Sequence, residues 1–118
     1  MTAVHVEAAA GRWRQLTLAE QLANVGSEVM RAIRADRNGR PDRRDRAIDR
    51  ALELFDMTAT DERWHGATRR EILRAREEFC GLFFTSDLPA DAPGAQERYF
   101  LQFAVRARHV RLEPVPRA

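Results

Sequence analysis

Apolar residues along this chain recur at intervals of three and four, the period of a helix with one dry face. Alternation never lasts long enough to mark a strand. Leu18, Leu22, Val25, Val29 and Ile33 form the first such stripe. Thr17-Leu18-Ala19-Glu20 opens it as a capping box, in which the hydroxyl and the carboxylate each accept from an amide N–H that a helix start leaves unsatisfied. Asn38-Gly39 supplies the stop. Trp13 and Leu16 stand just before the cap and are expected to fold back on the first turn.

A second helix is expected from Pro41-Asp42 to about Thr58–Thr60, because proline is tolerated where the amide would go unused. Its dry face is Ile48, Ala51, Leu52, Phe55 and Ala59. A second capping box, Thr68-Arg69-Arg70-Glu71, predicts a third helix from Thr68 to about Phe84. Residues 61–67 are either a short turn or a loop, with Trp64 expected to plug one end of the core. The prolines and aspartates between Ser86 and Gly94 mark a loop. The fourth helix is expected from about Gly94 to Leu112, with Phe100, Phe103, Ala104, Ala107 and Val110 inward and Pro114 and Pro116 closing it. Four amphipathic helices with short connections predict an all-α, antiparallel up-down four-helix bundle over residues 13–112. A mobile arm of residues 1–12 precedes it and a short tail of residues 113–118 follows. Gly26 lies in mid-helix, where glycine costs about 1 kcal/mol against alanine, so a neighbouring helix is expected to approach closely there.

One charge falls on a face that ought to be apolar. Arg76 shares a helical face with Ile72, Phe79 and Phe83, with Leu73 and Cys80 on its shoulder. A guanidinium keeps its proton, so a buried one needs a carboxylate or a bound anion. Gln21 and Glu28 flank the first helix's stripe, and Asp45, Asp49 and Asp56 flank the second's. A bidentate pair of Arg76 with Glu28 or Asp56, fixing helix register, is the expected geometry. An anion pocket and an exposed Arg76 are the alternatives.

Composition changes the picture in a few places. All 20 basic residues among the 118 are arginine, against 18 acidic ones, for a net charge of +2. Any phosphate-binding surface must therefore come from local clustering. From Arg34 to Arg50 seven arginines stand against four aspartates. Arg40, Arg43, Arg44, Arg46 and Arg50 form the candidate nucleic-acid contact at the turn between the first two helices. The same aspartates would also suit a self-paired solvated face, and no aromatic is interleaved to stack on a base. Arg106, Arg108, His109 and Arg111 form a smaller patch near the end of the last helix, where positive charge also complements the helix dipole.

Leu101 and Val105 point away from the last helix's inward stripe, as a surface covered by another chain would. No apolar run approaches the ~18 residues of a membrane span. Residues 1–10, interrupted by His5 and Glu7, do not read as a secretory signal, and a cytoplasmic location is expected. The single Cys80 excludes an internal disulfide and a cysteine-based zinc cage, and reads as a buried small hydrophobe. His5, His65 and His109 have no metal-ligand spacing around them. No phosphate loop, dinucleotide fingerprint, nucleophile elbow or arginine–histidine ribonuclease motif occurs. No catalytic residue, metal or cofactor is therefore assigned.

Trp13-x-x-Leu16-x-Leu18-Ala19-Glu20-Gln21-Leu22-Ala23-Asn24-Val25-Gly26-Ser27-Glu28-Val29, with Arg50-Ala51-Leu52-Glu53-Leu54 and Tyr99-Phe100-Leu101-Gln102-Phe103-Ala104, resembles a family of small, wholly helical bacterial and archaeal proteins over residues 13–108. That resemblance implies a bundle and brings no activity, cofactor or site residue. In size and class alone the chain is similar to the four-helix accessory proteins of diversity-generating retroelements and to the ribosomal-RNA intervening-sequence bundles. The leading functional expectation is a non-catalytic bundle that works through self-association or another protein partner, without a membrane. A nucleic-acid-binding accessory role for the arginine-rich turn is the alternative.

Overall fold

The computed structural model describes residues 11–112, with side chains to residue 109. Among these are four long helices, α1 (Leu18–Arg37), α2 (Pro41–Ala59), α3 (Gly66–Phe84) and α4 (Ala92–Leu112), preceded by helical residues 11–13, and no strand. The expected arm over residues 1–10 and tail over residues 113–118 lie outside the described residues, as does the side chain of Val110. Residues 11 and 12 belong to a helical stretch that places Trp13 in the core.

The Thr17 capping box forms as expected. Its Oγ1 accepts from the Glu20 amide at 3.1 Å, and Glu20 Oε1 accepts from the Thr17 amide at 3.0 Å. α1 ends at Asn38, and Gly39 takes the left-handed conformation (φ 65°) that turns the chain directly into α2. Pro41 is the first residue of α2. The start of α3 departs from expectation. Gly66 adopts φ 59° and the helix runs from there, so Thr68 sits inside the first turn and caps nothing. α4 also starts earlier than Gly94, because Pro93 occupies a first-turn position whose missing amide no helical bond needs.

α1 packs most extensively, lying against both α2 and α4; α2 also meets α3, and the α3–α4 seam is slight. Phe55 sits at the centre, 5.8 Å from the Phe79 ring and 6.0 Å edge-on from Phe100. Val25, Val29, Ala32 and Ala51 are sealed around these rings. The close approach expected at Gly26 is made by α4: a Cβ there would lie 2.7 Å from Cβ of Phe100.

The stripe of α3 is rotated from its expected position. Ile72, Ala75 and Phe79 are its buried residues, and Ala75 takes the inward place that Arg76 was expected to hold. Arg76 lies at the rim, its side chain 35% exposed, with Nε 2.9 Å from Oδ1 of Asp56, itself 61% exposed. Asp56 is thus the partner, but through one contact in water and not as a buried bidentate pair. Alanine lets the helices approach, and the arginine stem reaches over the edge to keep its charge solvated. Glu28 is not involved; it pairs with Arg31 three residues on.

Candidate nucleic-acid interface

The buried polar centre of the molecule forms around Gln21 without Arg76. Gln21 Nε2 donates to the carbonyl of Trp13 at 2.8 Å and to Asp61 Oδ2 at 3.0 Å, and its Oε1 accepts from Trp64 Nε1 at 2.8 Å. Asp61 is buried and held by Arg63, whose Nη2 and Nε reach its two oxygens at 2.8 and 3.1 Å. The same guanidinium donates to the Leu16 carbonyl at 2.7 Å and lies 4.6 Å over the Trp64 ring. Trp13 Nε1 donates to Thr58 Oγ1 at 3.0 Å.

The Arg63 hydrogen bonds hold the Asp61 carboxyl down at about 2, with Gln21 adding to them against the opposing effect of burial. Arg63 is correspondingly raised by its bonds to Asp61. This cluster clamps the segment before α1 onto the α2–α3 connection. Its members bond to one another, which suits a structural joint. Asp61, Arg63 and Thr58 carry no sequence signal for this role, because an i,i+2 pair in a loop has no helical period.

The other end of the α1–α2 hairpin is built differently. Arg31 and Arg34 from α1, and Arg40, Arg43, Arg46 and Arg50 from α2, line one open cleft of about 600 Å³ with the small side chains of Ala35 and Ala47. Positions 43, 46 and 50 share a helical face, and the three-residue turn brings that face beside positions 31 and 34. Only one carboxylate, Glu28, lines the cleft, and it is bonded to Arg31 at 3.0 Å. Among the described residues, Arg34, Arg40, Arg43, Arg46 and Arg50 have no carboxylate within ion-pair distance. α2 starts at this end without a side-chain cap, so its first amides add partial positive charge.

Four of the five expected contact arginines therefore share the cleft, and Arg44 does not. It bonds Asp45 through Nε at 3.0 Å and Asp36 through Nη1 at 3.1 Å, contacts that raise its affinity for its proton. Arg37 is likewise diverted, to Glu97 of α4 at 3.1 Å. Arg31 and Arg34 complete the cleft but were absent from the expected set; their spacing with Asn38 along one face of α1 was the available signal. Arg106 of the smaller patch lies 5.6 Å over the Phe103 ring.

On α4, Leu101 and Val105 are 54% and 47% exposed. Among the described residues no group of three His, Cys, Asp or Glu side chains is placed to hold a metal, and no helix is long and apolar enough to cross a membrane. No protein-family model, curated protein or solved structure matches the chain.

Proposed function

We propose that the protein is a non-catalytic nucleic-acid-binding accessory protein that grips phosphates in the cleft between α1 and α2. The observation carrying this reading is the convergence of five guanidinium groups, each without a carboxylate partner among the described residues, on one concave surface. Like charges held together in this way repel one another, and a polyanion relieves the repulsion while releasing its own counterions. Arginine favours phosphate through its planar fork of donors.

The test is fluorescence anisotropy with a labelled duplex of about 30 base pairs over a salt series. Binding should weaken steeply with salt, and Arg43→Ala with Arg46→Ala should flatten the slope by about one unit per arginine. Arg44→Ala should leave it unchanged. No binding at low salt would sink the proposal.

A second reading rests on α4. Leu101 and Val105, four residues apart and both about half exposed, offer an apolar strip that a second copy or another protein could cover. Light scattering should then give a mass above 13.5 kDa, and Leu101→Glu with Val105→Glu should lower it. A monomer at high concentration argues against self-association. Within the all-helical architecture we propose the antiparallel up-down four-helix bundle, supported by the short connections and by α1 packing against both α2 and α4. A cytoplasmic location and membership of the wholly helical bacterial and archaeal family belong to the same proposal.

A further inference from the structure

We infer that the cleft is built for the backbone of duplex nucleic acid in preference to a single strand. This rests on the nucleic-acid reading above and specifies its substrate.

A protein surface that favours single strands combines positive charge with aromatic side chains, because unpaired bases gain about 1–3 kcal/mol each by stacking on them. No Phe, Tyr or Trp lines this cleft; arginine, alanine, asparagine and one glutamate do. Most of the large aromatics are committed elsewhere, and the exposed Phe84, at the end of α3, does not line the cleft. Phe55, Phe79 and Phe100 are sealed in the core, and Trp13 and Trp64 are tied to Thr58 and Gln21. What remains is charge alone, and charge alone selects the polymer with the denser phosphates. A duplex carries one charge per ~1.7 Å of axis, about twice the density of either strand within it.

The dimensions agree. Arg40 and Arg50 are ten residues apart on and beside α2, about 15 Å along its axis. That length matches roughly four nucleotide steps of one strand at ~3.4 Å each. Arg34 on the facing helix adds a further contact from the opposite wall. The small Ala35 and Ala47 side chains leave depth for a backbone ridge to enter between the two rows.

Five phosphate contacts predict a log–log salt slope of about −4.5 on duplex and about −3.5 on single strand. Between 1 M and 0.1 M salt that difference amounts to about a tenfold advantage for the duplex.

The experiment measures the full-length protein by anisotropy against a duplex of about 30 base pairs and against oligothymidine of the same length, across a salt series. The expected result is about tenfold tighter duplex binding at the low-salt end, with the steeper slope, and a fall of that advantage to about fourfold in Arg43→Ala/Arg46→Ala, which keeps three of the five contacts. Oligothymidine bound as tightly as duplex would overturn this inference while leaving the nucleic-acid reading in place. A duplex preference left undiminished by the double substitution would place binding elsewhere and overturn it too. Failure of both probes to bind at low salt removes the parent reading and this one together.

Discussion

The two ends of the α1–α2 hairpin treat arginine in opposite ways. At one end Arg63 is fastened to Asp61, the Leu16 carbonyl and the face of Trp64, and it helps hold the segment before α1 in place. At the other, roughly 20 Å along α1, five arginines share a cleft whose one carboxylate, Glu28, is bonded to a sixth, Arg31. The chain has enough acid to neutralise most of its base, so the difference lies in placement. Asp36 and Asp45 both serve Arg44, which leaves its neighbours unpaired. An arginine surrounded by acceptors is part of the architecture; exposed arginines surrounded by one another keep their charge in water, unneutralised by the chain.

The sharpest way to break this contrast is at Asp61. Asp61→Ala leaves Gln21 Nε2 and the Arg63 guanidinium short of an acceptor and should cost about 3 kcal/mol in urea unfolding. A loss under about 1 kcal/mol would mean that water replaces the carboxylate and that the joint is not sealed.

Acid should find the same residue. The Asp61 carboxyl is held at about 2 in the folded protein, below its ordinary value of 3.8. Its stabilisation is therefore complete above pH ~4 and disappears as the pH falls towards 2, a loss of about 2 kcal/mol. Asp61→Asn should remove that part of the acid dependence. An unchanged acid profile in this variant would assign the effect to other carboxylates.

The cleft should respond with the opposite sign. Arg46→Gln removes a charge that repels its neighbours, so stability should stay level or rise by up to about 0.5 kcal/mol, most visibly at low salt. A destabilisation comparable to that of Asp61→Ala would show that the cleft is structural after all. The smallest effect is expected at the rim. Arg76→Ala breaks an ion pair with one solvent-exposed partner and should cost no more than about 0.5 kcal/mol. Urea midpoints of the two variants, measured side by side, separate these outcomes.

Much of the scaffold was legible because short-range chemistry marks it. The Thr17 box, the Asn38-Gly39 stop and Pro41 bound α1 and the start of α2, and the burial of Leu22, Val25, Val29 and Ile33 follows from their spacing. Hydrophobic spacing misleads where a position is decided by volume and not by polarity. Alanine is only weakly apolar, so the stripe of α3 was drawn through Arg76 towards Phe83, whereas close packing chose Ala75. Thr68 carried a valid capping pattern, but Gly66 offered an earlier start through a backbone conformation that side-chain chemistry does not announce. In the cleft the residue types were visible and their sorting was not. Whether Asp36 answers Arg44 or Arg40 depends on which way a three-residue turn rotates two helices.

The contact between Gly26 and Phe100 has a consequence for how this protein can vary. The atom nearest to position 26 is the β carbon of Phe100, with the ring carbons Cγ and Cδ1 just behind it. Every amino acid except glycine carries that carbon, so trimming the aromatic removes the ring contacts at 3.1 and 3.2 Å but leaves the tightest one, at 2.7 Å, in the way of a bulkier residue at 26. The two positions can exchange volume only in part, and full suppressors of a Gly26 substitution should arise among residues that set the separation of α1 and α4, where a whole helix can slide.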